Sequence, residues 1–175
     1  MTRPRPIRWA LLRPLFRLSP TPAHAVRRAI WSACGARLAP TVKIRPSVRC
    51  DAPWNLAAGH LTIFGDHADL RCRHHQIGVG DRCVVSQFAL LATDIADPDQ
   101  PPGPPDHARR RCGPINVGDD CWVAADAMVW PGTTIAPGTV VGARSVVEAD
   151  LPGWSVCAGH PARPLKERAF VPPPA

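Results

Sequence analysis

Branched aliphatic residues return at every sixth position in the C-terminal half of the chain. The series has no gap and consists of Val117, Val123, Val129, Ile135, Val141 and Val147. A helix requires apolar spacings of three and four, and a simple strand requires alternation, so neither explains a period of six. Prolines and glycines at 131, 132, 137 and 138 would also break a helix. The period predicts a repeat of short strands and corners, three strands to a turn, with one aliphatic side chain of each strand pointing inward.

The fourth residue after each aliphatic is small, as a tight corner inside such a coil requires. These residues are Cys121, Ala127, Thr133, Thr139 and Ser145. A slip of one residue would turn the aliphatic row toward solvent, so the pattern itself specifies the register of the winding.

A weaker form of the same period occurs earlier in the chain. It includes Ile44, Cys50 and Leu56, then Ala58, Phe64 and Leu70, and, after an interruption at RCRHHQ (71–76), Val79, Val85 and Leu91. The proline-rich segment 94–114 breaks the period completely and is interpreted as an excursion from the coil. We therefore expect a β-helix over residues 41–168 with an excursion loop at 94–114, a closing segment at its C-terminal end, and a disordered tail at 169–175.

Residues 1–40 differ from the rest in pattern and charge. Apolar and arginine positions occur there at roughly helical spacing, with Pro14 dividing the first segment and Gly35 as a helix stop. Eleven Lys and Arg and no acidic residue precede Asp51, although the net charge of the whole chain is only +7. The segment is predicted to be a basic helical cap over the open end of the coil. It also suits peripheral contact with anionic lipid, and both roles can hold together.

Length and cysteine usage narrow the class of protein. A chain of 175 residues suits one domain, and no apolar run reaches the roughly 20 residues that a membrane-spanning helix needs. The seven cysteines form no C-x-x-C pair, and Cys83 and Cys121 occupy small corner positions, which favours buried free thiols. An odd number of cysteines without a framework favours a reducing cytoplasm, with the inner membrane surface as the place of any lipid contact.

Five motifs resemble the hexapeptide-repeat acyltransferases, most of all the colanic-acid type of exopolysaccharide acetyltransferase. They are APWNL (52–56), VGDRCVVSQ (79–87), PINVGDDCWVAA (114–125), VVGARSVV (140–147) and WSVCAGHPARPLKER (154–168). The resemblance implies an all-β solenoid, the left-handed parallel β-helix. It also implies a homotrimer in which acetyl-CoA, as cosubstrate, lies in a cleft between neighbouring chains, with no metal required.

The same resemblance implies an activity and a set of contacts. Acetyl would pass from acetyl-CoA to the hydroxyl of a sugar or lipid-linked saccharide during surface polysaccharide biosynthesis. Matched by motif, the residues expected to contact CoA are Ala125, Ala143, Glu148, Arg163 and Lys166. The two cations also suit CoA phosphates on chemical grounds, although a solvated charged end is an equal alternative.

One departure from the family pattern concerns the chemistry directly. The family has a catalytic His-Asp pair before the external loop, and the matching residues here are Thr93 and Asp94. A sugar hydroxyl needs a base, which contributes about 10²–10⁴ in rate. Three interpretations follow: another group such as Asp94 or His107 serves as the base, positioning alone supports slow turnover, or the chain is a non-catalytic homologue that binds a ligand or partner.

Two other site classes have weaker support. His60, His67 and His74 are seven residues apart, and trimeric γ-class carbonic anhydrases, which share this fold, bind zinc through three histidines. A spacing of seven does not stack in an eighteen-residue coil, so a metal site is the remote alternative. The arginine run 109–111 lacks interleaved aromatic residues and any recognised nucleic-acid motif, so no nucleic-acid partner is expected.

Overall fold

The computed structural model describes residues 5–96 and 110–169, which form two helices followed by short strands. The helices are α1 (Arg5–Leu18) and α2 (His24–Ala33), and a 3₁₀ turn covers Pro53–Asn55. The strands before the excursion are β1 (Arg37–Leu38), β2 (Lys43–Ile44), β3 (Arg49–Cys50), β4 (Leu56–Ala58), β5 (Ile63–Phe64), β6 (Asp69–Arg71), β7 (Ile77–Val79), β8 (Val84–Val85) and β9 (Leu90–Ala92). A hairpin of β10 (Asp94–Ala96) and β11 (Arg110–Cys112) follows. The remaining strands are β12 (Ile115–Val117), β13 (Trp122–Val123), β14 (Met128–Val129), β15 (Thr134–Ile135), β16 (Val140–Val141), β17 (Val146–Val147), β18 (Ser155–Gly159) and β19 (Ala162–Glu167).

Successive strands enter three sheets in turn, and the pairing within these sheets is parallel except at the closing strand β19. The first sheet has the order β1-β4-β7-β12-β15, and the third has the order β17-β14-β9-β6-β3. The second sheet, in the order β19-β18-β16-β13-β8-β5-β2, includes the closing strands. The chain thus returns to each sheet after three strands, which is the winding that the six-residue period predicts.

The predicted aliphatic row lies inside this winding. Val123, Val129 and Ile135 are almost completely buried, and strand pairing aligns Val123 with Val85 below it and Val141 above it. The weaker earlier repeats behave in the same way, since Ile44, Phe64 and Leu91 are also fully buried. The period therefore identified the core correctly.

The corners combine an unusual backbone conformation with a small buried residue. Positive φ recurs every sixth residue at Asp120, Asp126, Gly132, Gly138 and Arg144, with values of 58°, 59°, 76°, 76° and 58°. L residues adopt this conformation at a cost that glycine avoids. The predicted small residues follow directly and are buried, and Cys83 and Cys121 are among the seven free thiols.

The two helices cover the N-terminal end of the winding. Trp9 lies edge-on to Phe16 and Trp31, with ring centroids 5.8 and 6.4 Å away, and Phe16 stacks on Trp31 at 5.0 Å. Trp9 Nε1 donates to the Cys50 carbonyl at 3.1 Å and so fixes α1 against β3. Neither helix is long and apolar enough to cross a membrane, as far as the described residues go.

Two expected boundaries at this end differ from the structure. The first strand begins at Arg37, four residues before the expected start of the β-helix at 41. The prediction that Pro14 divides the first segment was wrong, because α1 runs through it. Proline removes one hydrogen bond to the carbonyl four residues earlier. That carbonyl belongs to Ala10, an exposed residue, so water can take the place of the missing donor. The predicted stop at Gly35 is confirmed, since α2 ends at Ala33 and Gly35 has a φ of 105°.

The C-terminal segment closes the second sheet. β18 runs parallel to β16, and β19 folds back antiparallel on β18. Arg168 then donates to the carbonyl oxygens of Asp120 and Gly138 at 2.6 and 2.8 Å, which ties the segment to two corners. The disordered tail stays a prediction, because residues 170–175 lie outside the described part of the chain.

Candidate active site

Thr93 lies at the point where the chain leaves the third sheet for the excursion. Its side chain is fully buried, and both its backbone N–H and its hydroxyl donate to the Arg71 carbonyl, at 2.8 and 3.0 Å. Its own carbonyl accepts from Gly113 N–H at 3.0 Å, where the chain returns. Thr93 therefore fixes the base of the excursion, and its hydroxyl is already engaged.

Asp94 begins the hairpin and faces a cation. The carboxylate of Asp94 pairs with the Arg110 guanidinium, and only 8% of the Asp94 side chain is exposed. The strand register places Asp94 opposite Cys112 and Ala96 opposite Arg110. The third candidate, His107, lies outside the described residues.

Four side chains near the same end of the third sheet form a group that we call the corner cluster: Arg111, Trp130, Glu148 and His160. The Arg111 guanidinium lies over the Trp130 ring, 5.6 Å from its centroid, and Arg111 Nη2 donates to the Glu148 carbonyl at 3.2 Å. His160 Nε2 lies 3.4 Å from Glu148 Oε1. The cluster therefore joins a histidine to a carboxylate beside the excursion.

Strand pairing explains why the cluster forms. β14 lies between β9 and β17 in the third sheet, so Trp130 and Glu148, which directly follow β14 and β17, stack above the end of β9. His160 enters from the turn between β18 and β19. No sequence motif assigns a role to His160, which becomes a candidate only because the fold brings it to Glu148, a residue expected to contact CoA.

The residues expected to contact CoA fall into two groups. Ala125 and Ala143 occupy successive corners between the second and third sheets, joined by a 3.0 Å bond from Arg144 N–H to the Ala125 carbonyl. Arg163 and Lys166 are exposed on β19. Trp122, in the same motif as Ala125, is about half exposed and donates from Nε1 to Ser86 Oγ at 2.8 Å.

The histidines of the remote metal alternative do not converge. His60 contacts the Thr41 hydroxyl at 3.3 Å, and the His67 ring stacks on Phe88 at 5.1 Å. Nowhere in residues 5–96 and 110–169 do three or more His, Cys, Asp or Glu side chains gather as metal ligands would.

Comparison with known proteins places the chain in a family. The model of the bacterial transferase hexapeptide (six repeats) matches residues 114–149. A relative from Escherichia coli (strain K12), provisionally named colanic acid biosynthesis acetyltransferase WcaF, is 38% identical over 164 residues, covering 91% of this chain and 85% of its own. The chain belongs to the hexapeptide-repeat acetyltransferases. The resemblance inferred from the five motifs is thereby confirmed.

Solved structures agree with this family at the level of the fold. A maltose O-acetyltransferase from Clostridium difficile 630 has a TM-score of 0.81 at 23% identity, covering 95% of this chain and 87% of its own. A hexapeptide-repeat acetyltransferase from Vibrio cholerae O1 biovar eltor, complexed with acetyl coenzyme A, has a TM-score of 0.82 at 22% identity, with coverages of 95% and 88%. The arrangement of three sheets in this hexapeptide-repeat acetyltransferase is therefore that of known members.

Proposed function

We propose that the chain is an O-acetyltransferase that moves an acetyl group from acetyl-CoA to a sugar hydroxyl during surface polysaccharide biosynthesis. The observation that carries the proposal is the match to the WcaF relative along nearly the whole chain. A galactoside acetyltransferase solved in complex with coenzyme A, with a TM-score of 0.80 at 20% identity, adds a further sugar acetyltransferase of the same fold. We infer from the family that the winding is left-handed and that three chains assemble around shared clefts.

The proposed position of acetyl-CoA follows the two groups of residues on the surface. The corners at Ala125 and Ala143 offer small side chains and backbone groups to the pantetheine arm. Arg163 and Lys166 provide cations for the CoA phosphates, and charge-assisted hydrogen bonds of this kind are about twice as strong as neutral ones. Glu148 would then lie close to the thioester end.

We assign the general base to His160, whose ring contacts the Glu148 carboxylate. Glu148 faces Nε2 and would orient the ring, which leaves Nδ1 to accept the proton of the sugar hydroxyl. The hydroxyl oxygen would attack the thioester carbonyl, the C–S bond would break, and CoA would leave as the thiolate that takes up the proton. Asp94 is a weaker candidate because its carboxylate is paired with Arg110.

A non-catalytic ligand-binding protein is the second candidate function. The observation that favours it is at Thr93, which the resemblance matches to the family histidine and which is a buried threonine whose hydroxyl donates to the Arg71 carbonyl. In this case the chain would keep the CoA surface without the chemistry.

One experiment separates these functions. We expect acetyl-CoA to raise the melting temperature, and a panel of hexoses to release free CoA thiol above the rate of hydrolysis. Stabilisation without thiol release supports the second function, and no stabilisation contradicts both. Arg163→Gln with Lys166→Gln should weaken CoA binding at least tenfold, since each substitution removes a charge-assisted hydrogen bond. The matched control, Arg37→Gln with Lys43→Gln, removes two exposed cations from other strands and should leave binding unchanged.

We further propose that the enzyme works at the cytoplasmic face of the inner membrane, with α1 on the lipid surface. Ile7, Leu11, Leu15 and Leu18 lie on one face of α1, and each is more than half exposed. An apolar stripe on a helix in a strongly basic segment suits an anionic lipid interface. A lipid-linked saccharide would meet the enzyme at this surface.

A further inference from the structure

A groove of about 680 Å³ lies between α1 and the outer side of β3 and β6, away from the residues expected to contact CoA. We call it the arginine groove. Its wall includes Trp9, Arg13 and Arg17 from α1, Arg49 from β3, Trp54, and Arg71 from β6. This volume lies within the range of small-molecule sites in proteins.

The groove has an excess of positive charge. Five arginines and two aspartates line it, and both aspartates are already engaged. Asp69 accepts from Arg71 at 3.2 and 3.3 Å, while Asp51 lies 4.0 Å from Arg73 and accepts the Cys72 N–H at 2.7 Å. The other three arginines, at positions 13, 17 and 49, make no ion pair within residues 5–96 and 110–169. These three guanidinium groups can therefore bind an anion, and the guanidinium fork matches phosphate geometry.

The apolar part of the wall is held in place before any ligand binds. Trp9 is 8% exposed, bonded to the Cys50 carbonyl and packed edge-on against Phe16 and Trp31. Trp54 sits half-buried in the 3₁₀ turn. Fixed aromatic side chains beside cations suit a ligand that has both a ring and an anionic group, because little ordering is needed on binding.

The groove also lies next to the candidate active site. Arg71 lines the groove with its side chain, and its carbonyl accepts both hydrogen bonds from Thr93. On the other side, Arg13 and Arg17 belong to the same helix as the apolar stripe. The groove therefore lies between the proposed lipid surface and the base of the excursion.

We infer that the arginine groove binds the phosphate-bearing end of a saccharide acceptor, with the phosphate among Arg13, Arg17 and Arg49 and the sugar against the tryptophans. This inference rests on the proposed function and names the class of its acceptor, an anionic phosphosugar. The sugar phosphate can come from a lipid-linked saccharide or from a free one, and both present the same chemistry to the groove.

Binding of glucose 1-phosphate, glucose and inorganic phosphate to the full chain, measured by calorimetry without acetyl-CoA, tests the inference. We expect glucose 1-phosphate to bind at least tenfold more tightly than either of the other two. Arg17→Gln with Arg49→Gln should remove at least tenfold of that affinity. Arg37→Gln with Lys43→Gln makes the same change of charge outside the groove and should have no effect. Acetyl-CoA should still raise the melting temperature of the groove variant. A lack of glucose 1-phosphate binding would therefore contradict the inference without contradicting the proposed function.

Three results would overturn the inference. Equal affinity for glucose and glucose 1-phosphate would show that the phosphate is not recognised. Equal affinity for inorganic phosphate would show that the sugar is not recognised. Binding to vesicles that contain phosphatidylglycerol tests whether the groove recognises a lipid headgroup. If the groove variant loses vesicle binding but not glucose 1-phosphate binding, the arginines bind lipid headgroups instead of the acceptor.

Discussion

Arg27 is a fully buried cation that holds the helical cap on the winding. Its guanidinium donates to the Ile44 carbonyl at 2.6 Å, to the Pro20 carbonyl at 2.7 Å and to Ser19 Oγ at 2.8 Å, and also contacts the Thr21 carbonyl. Burial, and secondly the nearby Arg45, lower the pKa of Arg27. The Arg27 side chain thus joins α2 to β2 and to the loop that precedes α2.

Replacing Arg27 should destabilise the helical cap. Arg27→Met keeps much of the volume but leaves several buried carbonyls without donors, so we expect a loss of about 2–4 kcal/mol of unfolding free energy. Arg28→Met is the matched control, because Arg28 is less buried and donates to the Val42 carbonyl at 2.8 Å. Urea denaturation measures both variants, and equal losses would contradict the role given to Arg27.

The assignment of the base to His160 predicts a specific kinetic result. His160→Gln should lower acetyl transfer by about 10²–10⁴, while acetyl-CoA still stabilises the protein. Glu148→Gln should give a smaller loss, since it orients the ring. The control His74→Gln changes an exposed histidine in another turn and should have no effect.

Thr93→His tests the alternative that the site lacks only a base at position 93. It restores the residue that the family resemblance implies, but the threonine site is buried and bonded to Arg71. If His160 is the base, we expect little gain. An increase of turnover by orders of magnitude would contradict His160 and show that the site lacks only the family histidine.

The repeat pattern predicts a residue's place correctly where that place depends on its neighbours in the repeat. Cys83 and Cys121 were expected to be buried corner thiols, and they are. It failed where partners come from distant segments. The pairs Arg110–Asp94 and Arg111–Trp130 depend on how the excursion folds back, which no period encodes.

The strands illustrate which elements a pattern can specify. The inward aliphatic side chain recurs because each strand buries one position in the same lumen, so the period located strands in all three sheets. It did not locate β1 or the closing strands β18 and β19. The corners were less visible. Glycine marks the positive φ at 132 and 138, but Asp120, Asp126 and Arg144 adopt the same conformation without that signal. The surrounding sheets impose this conformation, so composition alone does not reveal it.

Helix α1 carries a prediction about lipid binding. Leu11→Gln with Leu15→Gln should weaken binding to phosphatidylglycerol vesicles at least tenfold, because the two substitutions remove apolar side chains from the exposed stripe. The buried face of α1, with Trp9 and Phe16, is unchanged. Vesicle co-sedimentation at low and high salt measures the effect. The control Leu61→Gln alters an equally exposed leucine on the winding and should bind as the parent does. Unchanged binding of the stripe variant would contradict contact through α1.

The proposed binding surfaces lie at different positions along the winding. The end covered by the helices has the arginine groove, and the opposite end has a separate pair of cations, Arg163 and Lys166 on β19. Between them, the corner cluster lies beside the excursion. An acceptor arriving from one end and CoA from the other would meet near Thr93 and His160, which is the arrangement that acyl transfer between two bound substrates requires.

The assembly of three chains gives a prediction that links mass to ligand binding. Ala143, Arg163 and Lys166 are exposed on the single chain, so a pantetheine arm lying on them needs a second wall, which a neighbouring chain would supply. Light scattering should therefore give a mass about three times the 18.9 kDa of one chain. If the CoA site is shared, dilution that lowers the mass should lower CoA affinity in parallel. A monomer that binds CoA with undiminished affinity would place the whole site on one chain, because no neighbour would then be needed to enclose the ligand.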